Sequence, residues 1–309
     1  MVTVPSGIVP LILRATRRNK TYLSHRGALE RVSERALTPL AYGPPKSLRP
    51  DVSIDVRHEN GWPIYTLAPS NTAPVGSVVY LHGGGWVNEI AKQQWHLAAQ
   101  IAAESSTVVT VPIYPLIPFA TSEDVVTRTI ALAEANIASY GSVALAGDSA
   151  GGQIALCAAL ALRDKGITLP ATVLISPAVD LTFTNPRIPD VQPTDPWLAV
   201  PGGRVLAGLW AGERDVADPV VSPLFGDFTG LGPLAVYSGQ RDILNPDARL
   251  LVDKAKASGV DVYYAEVAGQ VHVYPLLPTT VGAAARRDIA ARIAAALQGG
   301  TARGETARG

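Results

Sequence analysis

Residues 143–152, Val-Ala-Leu-Ala-Gly-Asp-Ser-Ala-Gly-Gly, restrict this chain more than any other stretch. Small and β-branched apolar residues lead into Gly147-Asp148-Ser149-Ala150-Gly151, and 153–162 reads as a helix. The pattern is a buried strand, an abrupt turn and a helix, with Ser149 at the apex. Such a turn strains the serine backbone, and glycines at 147 and 151 let strand and helix approach where a Cβ would collide. A helix start beneath the serine also favours negative charge developing beside it. Ser149 is therefore a candidate nucleophile. The plainer alternative, a glycine-rich turn with a capping serine, is weakened by the strand before it and the helix after it.

The rest of the chain repeats the same alternation. Extended runs are expected over 52–56 and 63–67, joined by Asn60-Gly61 as a hairpin, and then over 77–81, 108–113, 143–146, 172–175, 234–238 and 260–267. Helices are expected over 93–104, 122–139, 153–162, 247–258 and 283–297. Eight strands with helices between most of them describe an α/β fold: a mostly parallel sheet flanked by helices, with an antiparallel start. One domain is expected, with a core over 46–298. Two regions break the alternation. Residues 1–45 hold two helical pieces, 8–19 and 27–37, closed by Pro44-Pro45, and about 180–212 is proline-rich, carries Trp197 and holds a short helix near Trp210. Both are read as a helical cap over the site. The end, 299–309, finishes in a repeated Thr-Ala-Arg-Gly unit and is read as a disordered tail.

Composition removes several function classes. Lys+Arg and Asp+Glu each number 26, so no overall charge points to nucleic acid. Cys157 is the sole cysteine, which excludes an internal disulfide, and its place on an apolar helix makes it a core residue. No apolar run reaches a membrane span and no cleavable leader is visible, so the expectation is a soluble cytoplasmic protein. In the first 31 residues Arg14, Arg17, Arg18, Lys20, Arg26 and Arg31 face one acid, Glu30. This basic arm reads first as helices packed on the body; weak contact with an anionic membrane surface stays open, as does a homodimer. No metal and no cofactor are expected.

A serine nucleophile needs a base, and the base needs an acid to orient it. Of five histidines, His25 lies in the arm, His58 at a strand end and His96 within a helix, while His82 opens a glycine run. His272, beyond the last strand in Gly269-Gln270-Val271-His272, sits where a parallel sheet places functional loops, and is the expected base. Asp242 follows the 234–238 strand at the same carboxyl edge and is the expected acid, since this topology yields the order Ser, Asp, His. Asp180 is the substitute. Asp148 adjoins the serine, but an elbow points its neighbours away, and it is read as a helix-start residue. His82-Gly83-Gly84-Gly85-Trp86 follows a strand directly, so Gly83 and Gly84, with or without Gly85, are expected to present amides to an oxyanion, joined by Ala150. This run has neither the lysine of a phosphate loop nor a dinucleotide spacing.

With His82 to Trp86, Gly147 to Gly152, Asp242-Ile243-Leu244 and His272-Val273-Tyr274 in this order, the chain resembles the hormone-sensitive-lipase-like (family IV) α/β-hydrolases over about 52–297. The resemblance implies a serine carboxylesterase acting on short- to medium-chain acyl esters as small-molecule substrates. It implies Ser149, Asp242 and His272 as triad, Gly83, Gly84 and Ala150 as oxyanion donors, and His82, Trp86, Gly147, Asp148 and Gly151 as motif support. It also implies a cap made from the N-terminal helices and the insertion after the sixth strand. Ser176-Pro177 with Asp180, and Ser222-Pro223-Leu224, look like further shared landmarks. One stretch departs: Tyr114-Pro115-Leu116-Ile117-Pro118-Phe119 stands where the group has Tyr-Arg-Leu-Ala-Pro-Glu-His, which leaves the acyl pocket undefined. An amidase or deacetylase on the same triad, and a non-catalytic small-molecule receptor of the same fold, are the alternatives.

Overall fold

The computed structural model describes residues 3–16, 18–46 and 48–306, with side chains to 299; Arg17 of the basic arm and 307–309 of the tail lie outside it. Eight strands form one sheet: β1 (Val52–Glu59), β2 (Trp62–Pro69), β3 (Ser77–Leu81), β4 (Val108–Pro112), β5 (Val143–Asp148), β6 (Thr172–Ile175), β7 (Leu234–Arg241) and β8 (Val262–Val271). Their order is β1-β2-β4-β3-β5-β6-β7-β8, with β1/β2 and β2/β4 antiparallel and all other pairs parallel. This is the α/β-hydrolase architecture. Strands β3 to β6 are buried throughout, as parallel strands covered on both faces must be.

Helices α4 (Ser122–Tyr140), α5 (Ala150–Asp164) and α8 (Asn245–Ala257) cover one face, and α3 (Lys92–Ser105) and α9 (Thr280–Thr306) the other. Parallel register aligns Leu81 with Gly147 and Ile175 with Tyr237, so the loops after β3, β5, β6, β7 and β8 open on one edge. Both β7 and β8 run a few residues further than their hydrophobic pattern indicates. As a result Asp242 and His272 each stand on the first residue beyond a strand rather than out in a loop.

Two elements from the arm, α1 (Val9–Ala15) and α2 (His25–Leu37), join the insertion, which holds α6 (Ile188–Val191) and α7 (Val200–Ala211), above this edge. Helix α1 sets Val9 and Leu13 against Val271, the residue before His272, and leaves Ile8, Leu11 and Ile12 exposed. The Gly202 amide donates to the Tyr22 carbonyl at 2.8 Å. Glycine is required there, because a Cβ on Gly202 would lie 2.4 Å from the Thr21 carbonyl oxygen. Helix α9, expected to end near 297, continues through Gly299-Gly300 to Thr306. Among the described residues, no helix is long and apolar enough to cross a membrane.

Candidate active site

Ser149 caps α5 with φ 54° and ψ −117°, a left-handed conformation that a serine adopts only when its surroundings enforce it. The enforcement is visible on both sides. A Cβ on Gly147 would stand 2.3 Å from the Gly151 carbonyl oxygen, and one on Gly151 would stand 2.0 Å from that of Leu81. Strand and helix therefore meet at backbone contact and push Ser149 toward the open edge, where it is only half-buried.

There Ser149 Oγ lies 2.9 Å from His272 Nε2, and His272 Nδ1 lies 2.8 Å from Asp242 Oδ2. In the tautomer that this series of acceptors selects, Nδ1–H donates to the carboxylate and Nε2 accepts from the serine hydroxyl. Both Asp242 and His272 are buried. Burial works against the charged imidazolium, but the charge and hydrogen bond of Asp242 outweigh it and raise the His272 pKa above its ordinary value. Asp242 Oδ1 accepts from the Leu244 amide at 3.0 Å. The loop carrying His272 is held from β6, where Ser176 Oγ accepts the Val273 amide at 3.0 Å. Asp180, the substitute acid, instead accepts from the Thr182 amide and hydroxyl, at 2.8 and 2.6 Å.

Two readings of the glycine loop need correction. Asp148 is not a helix-start residue; it is the buried end of β5 and points beneath the loop. Its Oδ1 accepts from the Tyr80 hydroxyl at 2.5 Å and from the Gly83 amide at 3.0 Å, and Gln94 Nε2 donates to both oxygens. Gly83 is therefore not a free oxyanion donor, because its N–H already has a carboxylate acceptor. Among the described residues the amides of Gly84, Gly85 and Ala150 have no such acceptor. Gly84 and Gly85 adopt φ 138° and 63°, so the peptide planes after Gly83 turn in a way residues with a Cβ rarely follow.

The other motif residues brace this loop. His82 is fully buried, its Nδ1 sits 2.8 Å from the Gly83 carbonyl, and burial lowers its pKa to about 4. It is neutral at pH 7 and stacks on Tyr114 with ring centroids 4.4 Å apart, while the Tyr114 hydroxyl donates to the His82 carbonyl. Part of the departing 114–119 stretch thus supports the glycine loop, and Phe119 at its end is exposed. Trp86 and Trp210 of α7 stack, and both indole N–H groups donate to Gln153 Oε1, at 3.2 and 3.0 Å. Cys157 is buried with its pKa raised by desolvation, as suits a core thiol. His96 remains on α3, away from the triad geometry.

A family described as "alpha/beta hydrolase fold" matches residues 78–276. LipR of Mycobacterium tuberculosis is 32% identical over 248 residues, covering 77% of this chain and 78% of the relative. An acetyl-hydrolase of Streptomyces hygroscopicus is 34% identical over 211 residues, covering 65% and 70%. A solved esterase from the bacterial hormone-sensitive lipase family superposes with a TM-score of 0.79 at 27% identity, covering 96% of this chain and all of that one. This chain is a hormone-sensitive-lipase-like α/β-hydrolase. As such it is a carboxylic ester hydrolase.

Several residues of this hydrolase's site carry no sequence signal. Tyr80 and Gln94, which hold Asp148, belong to an ordinary apolar strand and an ordinary helix. Tyr22, half-buried at the cap seam with its pKa raised to about 12 by desolvation of its hydroxyl, brings that hydroxyl within 2.7 Å of where a Gly85 Cβ would stand. The Trp197 and His272 rings meet in a T-shaped contact, centroids 5.7 Å apart and planes at 89°. Asp195, two residues earlier, is buried beside Asp242, and only an Asp-Pro turn marks it in the sequence.

Proposed function

We propose that the hydrolase cleaves short- to medium-chain carboxylic esters through an acyl-enzyme on Ser149. The observation that carries this reading is the continuous series from Ser149 Oγ to His272 to Asp242, at 2.9 and 2.8 Å, beside three amides without acceptors among the described residues. His272 Nε2 takes the hydroxyl proton as Ser149 Oγ attacks the ester carbonyl carbon. The amides of Gly84, Gly85 and Ala150 donate to the resulting oxyanion, and Asp242 stabilises the imidazolium. Collapse of the tetrahedral species breaks the bond to the alkoxy oxygen, which takes the proton from His272 and leaves as the alcohol. Water then attacks the acyl-serine carbonyl, giving up a proton to His272, and the acid departs with Ser149 restored.

The preference for a short acyl group is supported by the acetyl-hydrolase name of the Streptomyces relative and by the bulk of Trp197 beside His272. A cleft of about 630 Å³ on the insertion, lined by residues such as Phe183, Ile188, Gln192 and Arg204, contains none of the triad and plays no part in this reading. The test is turnover of p-nitrophenyl esters from acetate to decanoate, with the matching anilides alongside. Highest kcat/KM between acetate and octanoate, with anilides slower, is expected; faster anilide cleavage would make this an amidase, and no turnover of either would leave a receptor.

A further inference from the structure

Asp195 belongs to the insertion, yet both of its oxygens are spent on backbone amides around the triad. Oδ1 accepts from Trp197 and Leu198, at 2.7 and 2.9 Å, and Oδ2 accepts from Ile243 at 2.9 Å. Ile243 follows Asp242, whose own Oδ1 takes the next amide, that of Leu244, at 3.0 Å. Two successive N–H groups of the turn after β7 are thus divided between two carboxylates, one from the core and one from the insertion. Trp197, whose amide is fixed by the same Asp195, makes a T-shaped ring contact with His272. A single side chain therefore touches the turn behind the acid and fixes the residue that flanks the base.

This arrangement is costly. No lysine or arginine pairs with Asp195 among the described residues, and burial together with the nearby Asp242 raises its pKa to about 7. The groups facing it are Asp242 and His272 from the core and the Tyr22 hydroxyl from the arm, with Arg31 beyond Tyr22. Among the described residues Arg241 donates to the Thr194 carbonyl and to no carboxylate. A neutral Asn would cap the 195–198 turn without placing a second negative charge beside the acid. With a pKa of about 7 the carboxylate is charged over the upper part of the His272 titration, and that charge favours the imidazolium form of His272.

We propose that Asp195 is a positioning residue for ester hydrolysis: through the Ile243 amide and Trp197 it holds acid and base in register, so that the triad is complete only while the insertion is seated. The proposal rests on the triad reading above, and Ser149→Ala run in parallel separates the two, since turnover surviving that change would defeat the triad itself. The experiment measures kcat and KM for a soluble short ester against pH, with Tm, for Asp195→Asn and Asp195→Glu. Asp195→Asn keeps one carbonyl acceptor and removes the charge. Its kcat should fall about ten-fold with KM within about two-fold, because a buried amide next to the acid loses its acceptor. The acid limb of its kcat/KM profile should also move to lower pH, because the imidazolium loses a neighbouring negative charge. Asp195→Glu should return the limb toward wild type while recovering kcat only in part. Wild-type kcat in Asp195→Asn, or a fall in kcat with the limb unmoved, would overturn the proposal and leave Asp195 a structural cap. If Asp195→Asn does not fold, Trp197→Leu carries the test: kcat about three-fold lower or more, with KM changed less, is expected, and unchanged kcat overturns it.

Discussion

Two regions meet over Ser149 and hold it by different means. On the core side β3, β5 and α5 touch backbone to backbone, so that neither Gly147 nor Gly151 has room for a methyl group. On the cap side, single side chains reach across to the core: Asn185 to Asp247 at 2.7 Å, Asp195 to the Ile243 amide, and Trp210 to Gln153. The first kind of contact cannot be released without moving a strand, whereas a rotamer change undoes the second. The position of Ser149 is thus fixed by the sheet, and the setting of Asp242 and His272 depends partly on a removable layer.

Substitutions can break or sharpen this contrast. The largest effect belongs to the core: Ser149→Ala should lower kcat about 10⁶-fold, and Asp242→Asn by up to about 10⁴-fold, with Tm nearly unchanged. Near-normal activity in Asp242→Asn would move the acid elsewhere. Next comes Asp148→Asn, which weakens the acceptor shared by Tyr80, Gly83 and Gln94. Its kcat should fall about 10- to 100-fold with little change in KM, as the glycine loop loses its anchor; an unchanged kcat would show that the loop holds its own shape.

The wild-type pH profile gives a smaller, graded effect. Only neutral His272 can accept the serine proton, and its pKa is raised, so kcat/KM should climb with pH through a value above the usual imidazole figure of about 6.5. A limb at or below that figure would mean that burial outweighs Asp242. The smallest effect lies at the cap seam. Burial raises the Asp247 pKa to about 7, and its Oδ2 has no partner among the described residues. The folded form then holds a proton that the unfolded form gives up near pH 4, so stability falls as pH rises from about 4 to about 7 and is level above. Asp247→Asn keeps the acceptor for Asn185 and removes that slope. Its Tm relative to wild type should therefore rise between pH 5 and pH 8, by an amount worth no more than a few kcal/mol; a constant difference would show that Asp247 stays ionised.

The contrast also explains what the sequence could reveal. The meeting of Ser149, Asp242 and His272 is legible in the sequence because each follows a strand, and strand ends of one parallel sheet share an edge. The glycine loop was legible as a loop, but the job of Gly83 was not, since its acceptor Asp148 is distant in sequence and points under the loop rather than to solvent. In the cap the signals conflict. Val200-Pro201-Gly202-Gly203 reads as a helix-breaking stretch, yet it opens α7: proline is tolerated in the first turn, and Gly202 is needed where the Thr21-Tyr22 backbone crosses. Asp195 and Trp197 lie in a proline-rich stretch without periodicity, and their partners are some fifty residues or more away. Contacts of that kind exist only once the chain has folded.

The central claim is that the fold makes one hydroxyl reactive, and it can be tested directly. The purified protein is incubated with a fluorophosphonate and the adduct is located by peptide mass spectrometry. A single adduct on Ser149, absent from Ser149→Ala and much slower to form in Asp242→Asn, is the expected result. No adduct, or one on another residue, would contradict it.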